Sequence, residues 1–188
     1  MTKVRLLKRT TIYQGRVIRL IQELLQVDHQ RLVRETILHP GAVVVAPLLH
    51  DGRLVFVRQY RRSVDRELLE LPAGTLEVGE SPERCARREL EEETGWRARH
   101  LRRVGQFYAA PGIISEQLTL FVATGLTQVG ARPEPDELLT PVTLSLTRAI
   151  SSIRSGAICD AKSIIGVLLV RDLLARKRVV VKFEKQAP

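Results

Sequence analysis

GTLEVGESPERCARRELEEETGW, residues 74–96, is the stretch on which the reading of this chain turns. Its second half predicts a helix: Ser81 serves as N-cap, Pro82 fits the first helical position, Glu83 suits the positive N-terminal end, and Gly95 stops the helix. Residues three and four apart on a helix are neighbours, so Glu89, Glu92 and Glu93 project together with Cβ atoms roughly 5–6 Å apart. Like charges at that spacing repel, and a cleft of low dielectric raises the cost unless positive charge sits among them. A divalent cation supplies that charge, and Mg²⁺ takes hard oxygen ligands shared between carboxylates, waters and substrate phosphates. The alternative is a solvated helix with ordinary charge pairs, Arg87 with Glu91 and Arg88 with Glu92 at i, i+4.

The whole chain narrows the classes. Its 188 residues, 44% of them hydrophobic, suit one domain with a small extension and a sizeable core. No apolar run approaches the roughly 18 residues of a membrane span, so a soluble protein with no membrane partner is expected. The start, MTKVRLLKRTTIY, lacks the order of a secretion signal, and Cys85 and Cys159 form neither a disulfide framework nor a zinc spacing, so a reducing cytosol is expected. The formal charge of +9 invites a nucleic-acid partner. The basic residues are spread from Lys3 to Lys185 among acids, however, and only 4% of residues are aromatic, which leaves little for base stacking. No nucleic-acid partner is expected, since a small anionic substrate also needs positive charge.

In chain order, residues 16–27 and 31–38 are rich in Val, Ile and Leu around the polar DHQ of 28–30, which predicts a hairpin, although RVIRLIQELLQV also satisfies a helical spacing. Residues 42–49 form a nearly continuous apolar run, Asp51-Gly52 is a turn signal, and residues 54–57 resume the apolar pattern, predicting a second, buried hairpin. A charged loop with Arg58, Tyr60, Arg61 and Arg62 follows, in which Arg61 offers a phosphate a bidentate fork. Beyond the quoted stretch, strands are expected near 104–108 and 117–123, with a turn at Pro111-Gly112 between them. A Pro-rich acidic loop is expected at 132–137, and a helix over 147–155 ended by Gly156. A longer helix from Asp160 to about Lys177 would pack through Ile164, Ile165, Leu168, Leu169 and Leu173, and the tail 179–188 would fray or pair as an edge strand. The four histidines, His29, His39, His50 and His100, fall near predicted turns and show no spacing for joint ligation.

Residues 74–96 resemble, at every specified position, the Nudix box GX5EX7REUXEEXGU, where U is a bulky apolar residue. RQYR at 58–61, ELPAG at 70–74, YAAPGIISEQLTLF at 108–121 and GAICDAKSIIGVLL at 156–169 are similar to the ADP-ribose pyrophosphatase branch, as is Pro111 sixteen residues beyond Gly95. The resemblance implies a Nudix-type α/β/α sandwich around a mixed β-sheet, with a small N-terminal antiparallel β extension over residues 1–39 and the hydrolase domain over 40–188. It implies metal ligation by the Ala73 carbonyl, Glu89, Glu92 and Glu93, with Arg88 orienting the glutamates, and two or more Mg²⁺ or Mn²⁺ ions. Gly74, Glu80 and Gly95 are structural members of the motif. Arg61, Glu77 and Pro111 would face substrate or support that surface, and Glu92 or Glu116 would be the base. A homodimer exchanging N-terminal strands would bring Arg19, Arg34 and Glu35 to the adenine pocket. The expected reaction is hydrolysis of ADP-ribose to AMP and ribose 5-phosphate. GDP-mannose or another nucleoside diphosphate sugar is the alternative substrate, a non-catalytic ADP-ribose sensor is a different class, and an RNA-processing enzyme rests on charge alone.

Overall fold

A computed structural model describes residues 3–131 and 139–175 of the chain. The Pro-rich loop at 132–137, the tail at 179–188 and the end of the long helix toward Lys177 lie outside the described residues. An antiparallel sheet of β1 (Val4–Gln14), β2 (Arg19–Val27) and β3 (Gln30–Leu38) opens the chain. The expected hairpin is present, and it is tight: Val27 pairs with Gln30 across Asp28-His29, and Asp28 adopts φ 51°, a left-handed conformation that Asp tolerates better than most residues.

The centre is β4 (Ala42–Pro47), buried along its whole length. It lies between β7 (Ala73–Thr75), antiparallel, and β9 (Gln117–Gln128), parallel, and β9 in turn pairs antiparallel with β8 (Trp96–Tyr108). Successive β4 side chains point to opposite faces, so Val43 and Val45 pack with Cys85, Ala86 and Leu90 of α1 (Pro82–Thr94). Val44 and Ala46 pack with Ala149 of α2 (Leu146–Arg154) and Val167 and Val170 of α3 (Ala161–Ala175). This is the α/β/α sandwich around a mixed sheet; each fully buried Val or Leu stabilises it by about 1.5–3 kcal/mol.

Four expectations need correction. The apolar runs at 42–49 and 54–57 are both strands, but they do not form a hairpin ladder. Beyond one bridge, Leu48 with Leu54, β5 (Arg53–Arg61) leaves for a second sheet, between β10 (Leu139–Ser145) and β6 (Arg66–Glu70). Arg58, Tyr60 and Arg61 lie within β5 rather than in a loop, because β6 pairs with them from Val57–Glu70 to Arg61–Arg66. The strand expected near 104–108 begins at Trp96, so that HLRR at 100–103 belongs to β8, and β10 had no expectation at all. The buried face of α3 is Ser163, Gly166, Val167 and Val170, with Ile164, Leu169 and Leu173 at its flanks. Gly166 sets this rotation: a Cβ there would lie 2.4 Å from Leu71 Cδ1.

A buried charge network fastens α3 to the β5–β6 edge. Glu70 is 1% exposed and receives Arg61 as a fork, Nε at 2.9 Å and Nη2 at 2.7 Å, together with Lys162 Nζ. Lys162 also reaches Asp160 at 3.1 Å; Asp160 accepts the Ser163 N–H at 3.0 Å, and Ser163 Oγ accepts the Leu71 N–H at 2.7 Å. Burial alone would raise the Glu70 carboxyl, but the hydrogen bonds and charges of Arg61 and Lys162 outweigh it and hold it below its ordinary value of 4.5. A depressed carboxyl contributes stability that is present above pH 4.5 and lost as pH falls through the folded value. Glu70→Gln should therefore lower unfolding free energy near neutrality by on the order of 3 kcal/mol, since two cations lose a buried partner. Denaturant titrations at falling pH should also show a shallower acid loss in the variant below 4.5 than in the wild type; parallel curves would contradict this account.

Candidate active site

The helix α1 forms as its sequence demands. Ser81 is extended and its hydroxyl accepts the Arg84 N–H, Pro82 opens the first turn, and Gly95 closes the helix at φ 72° while donating to Glu91 O. No side chain fits at Gly95, because a Cβ would lie 2.5 Å from Ala131 N. Cys85 is fully buried under the helix, where burial, ahead of the charges of Glu80 and Glu89, pushes its thiol pKa up, and Trp96 packs into the same cluster.

The polar face of α1 is organised by Arg88. Its Nε and Nη2 donate to the two oxygens of Glu80 at 3.1 Å each, and its Nη1 donates to Glu89 at 2.7 Å and to Glu92 at 3.1 Å. The hydrogen bond to Glu80 is the largest cause of a raised Arg88 pKa, and the same bond holds the Glu80 carboxyl below its ordinary value. Glu77 stands at the rim, 4.0 Å from Arg88, and its N–H donates to Glu80 at 3.2 Å. Of the expected helix pairs, Arg88 with Glu92 forms; Arg87 pairs instead with Glu83, and Glu91 with Arg97.

Glu89 and Glu93 turn inward onto β7. Glu93 is 1% exposed and accepts the Ala73 N–H at 3.1 Å, while Glu89 lies so close to the neighbouring backbone that a Cβ at Gly74 would sit 1.8 Å from its Oε1. Glycine at 74 is thus a requirement of approach, not of backbone angle. Among the described residues, no three His, Cys, Asp or Glu side chains converge into a ready coordination cluster; Arg88 stands between Glu80, Glu89 and Glu92. The donor set nonetheless fits a hard divalent cation. Two buried carboxylates, Glu92 beside them and the backbone at Ala73 offer only oxygen ligands, which is what Mg²⁺ and Mn²⁺ prefer.

Beside this face opens a cleft of about 500 Å³, whose lining includes Arg61, Ala73, Gly74, Thr75, Glu116 and Lys162. Glu116 stands at the end of the loop between β8 and β9, where its carbonyl accepts the Ala109 N–H at 3.1 Å. Arg61 is at the cleft with its fork turned to Glu70, an arrangement that holds the guanidinium charged. Pro111 is exposed in the turn of the same loop and does not line the cleft. Arg19, Arg34 and Glu35 are exposed on β2 and β3, where Glu35 meets Gln22 at 3.4 Å, and none of the three reaches the cleft within this chain. The sequence reading missed Glu70, Asp160, Lys162 and Ser163. Their signal was isolated charge in apolar surroundings, Glu70 in ELLELPAG and Lys162 at the head of an apolar helix.

Among the described residues, no helix is long and apolar enough to cross a membrane. The sequence pattern of the NUDIX domain matches residues 38–153. An ADP-ribose pyrophosphatase of Bacillus subtilis (strain 168) is 37% identical over 155 residues, 81% of this chain and 84% of the relative. A methanol dehydrogenase activator of Bacillus methanolicus is 36% identical over 164 residues, 86% of this chain and 89% of its own. A crystal structure of an ADP compounds hydrolase superposes with a TM-score of 0.83 at 26% identity, covering 94% of this chain and 97% of that one. With the box glutamates, their arginine and the sandwich that carries them all in place, the chain belongs to the Nudix family.

Proposed function

We propose that this Nudix hydrolase cleaves the pyrophosphate of ADP-ribose, giving AMP and ribose 5-phosphate. The observation that carries the reading is the box arrangement itself: Arg88 holds Glu89 and Glu92, Glu93 is tied to the Ala73 N–H, and Ala73 and Gly74 line a cleft that also holds Arg61 and Glu116. Glu89, Glu92, Glu93 and the Ala73 carbonyl would hold divalent cations, two or more Mg²⁺ or Mn²⁺ ions. When bound, such ions neutralise pyrophosphate charge and raise the acidity of the attacking water.

The chain's own groups divide the remaining work. Arg61 and Lys162, fixed by Glu70, place positive charge at the cleft wall where a phosphate would lie. Arg88 keeps the glutamates in register, with Glu77, Glu80, Gly74 and Gly95 supporting the box and the Pro111 loop bordering the substrate. Glu92 or Glu116 accepts the water's proton as the in-line displacement proceeds. The active form is a homodimer in the reducing cytosol, with residues 1–39 as the exchanging extension and 40–188 as the hydrolase domain. The exposed apolar side chains of Val4, Leu6, Ile12 and Tyr13 on β1 support a covered N-terminal sheet, and a partner there would bring Arg19, Arg34 and Glu35 to its adenine pocket.

Turnover of ADP-ribose, GDP-mannose, NADH and diadenosine polyphosphates, each with Mg²⁺ and with EDTA, tests the substrate. ADP-ribose should lead by at least about tenfold in kcat/KM, roughly 1.4 kcal/mol of discrimination, and EDTA should abolish the activity. A lead by GDP-mannose would move the chain to a neighbouring branch, and a raised melting temperature without turnover would make it a sensor. Glu93→Gln keeps an oxygen for the Ala73 N–H and removes the charge. It should leave the melting temperature nearly unchanged and cut kcat by roughly a hundredfold or more; near-normal activity would sink the ligand assignment.

A further inference from the structure

Glu116 lies in a loop that has no regular structure of its own, yet it is held by contacts far away in sequence. The end of β3 forms a short parallel zipper with this loop. Ile37 N–H donates to Ile113 O at 2.8 Å, Ser115 N–H donates to Ile37 O at 2.9 Å, and His39 N–H donates to Ser115 Oγ at 3.0 Å. The His39 ring completes the arrangement. Its Nδ1 accepts the N–H of Gly41 at 3.1 Å, so in the neutral ring the proton sits on Nε2. That nitrogen faces Glu116 Oε1 at 3.8 Å, and the imidazole is only 8% exposed. Gly41 can present its N–H to the ring because it adopts φ 99°, a conformation other residues avoid.

We propose that His39 is a positioning residue that holds the Glu116 carboxylate over the cleft through Nε2, with the Ile37–Ser115 zipper setting the height of the loop. This rests on the reading of Glu116 as a group that meets the substrate. A distance of 3.8 Å is longer than a hydrogen bond, and such contacts shorten when substrate fills a site. The ring is fixed from behind by Gly41, so any movement of Glu116 toward it ends at a defined position. The contact links the N-terminal sheet, through residue 39, to a group that borders the reacting phosphate.

Two variants separate the two ring nitrogens. In His39→Asn the amide oxygen can still accept the Gly41 N–H, but no donor reaches Glu116; in His39→Gln a donor stands near the Nε2 position. His39→Asn should lower kcat on ADP-ribose roughly tenfold with KM within about twofold, and His39→Gln should recover most of that loss. Glu116→Gln serves as the reference, and adding His39→Asn to it should produce no further fall. If Glu116→Gln is impaired while His39→Asn keeps wild-type kcat, the positioning role is overturned and the reading of Glu116 stands. If Glu116→Gln itself turns over normally, the reading of Glu116 fails first. Equal losses in Asn and Gln variants, accompanied by a lowered melting temperature, would make His39 structural and overturn the proposal.

Discussion

The site depends on one guanidinium among four carboxylates. Two like charges 5–6 Å apart at an effective dielectric near 20 repel by about 3 kcal/mol, and α1 carries Glu89 at three and four residues from Glu92 and Glu93, the spacing that makes helix side chains neighbours. Arg88 answers this with its shape as much as its charge. The planar fork takes both oxygens of Glu80 on one edge and reaches Glu89 and Glu92 with its remaining nitrogen. A lysine ammonium, a point charge on a flexible stem, could neutralise one of these acids but could not hold three in a fixed relation. The same bonds anchor the loop before the helix, because Glu80 also accepts the Glu77 N–H and Arg88 reaches Thr75 O at 3.4 Å.

The second constraint is closeness. Glu89 presses against Gly74, Glu93 is tied to the Ala73 N–H, and Cys85 is buried against the same strand, with its thiol 3.6 Å from Thr75 O. Helix and strand can approach this far only where side chains are small or absent. Ala73, Gly74 and Cys85 therefore belong to one packing solution that brings acidic side chains onto exposed strand backbone, where hard oxygen atoms gather. β7 is held in turn by β4, the most buried strand, through Val43 with Gly74 and Val44 with Ala73. Rigidity thus passes from the hydrophobic centre to the box without an intervening flexible segment.

These two constraints explain what could be read in the sequence. The limits of α1 were legible because caps are local: Ser81, Pro82 and Gly95 each act within one turn. The burial of residues 42–47 was legible from their unbroken apolar run. The fate of the next strand was not. The Asp51-Gly52 turn fits a hairpin, but β5 is claimed by β6 and by β10, whose residues pair with it from Leu139–Gln59 to Ser145–Arg53, far away in sequence, and no local signal records that competition. The true face of α3 was hidden for a related reason, since Gly166 is chosen by Leu71, which sequence spacing cannot place beside it. Glu70 with Lys162 and His39 with Ser115 are likewise pairs separated by 92 and 76 residues. Tertiary ion pairs and loop anchors leave only a lone charge or a turn residue as their trace.

The cleft has walls of different origin. On one side stands β7, held by β4; on another, Arg61 and Lys162, fixed by the buried Glu70; and on the third, the loop that ends at Glu116. This third wall is fastened by hydrogen bonds to the end of β3 and to His39. Such bonds are individually modest, about 1 kcal/mol each, so the position of this wall rests on a few contacts at residues 37–39. The N-terminal sheet is therefore more than an appendage to the sandwich. Residues 37–39 join it to the loop that carries Glu116, and a partner that covered the exposed face of β1 would meet the chain away from the box glutamates.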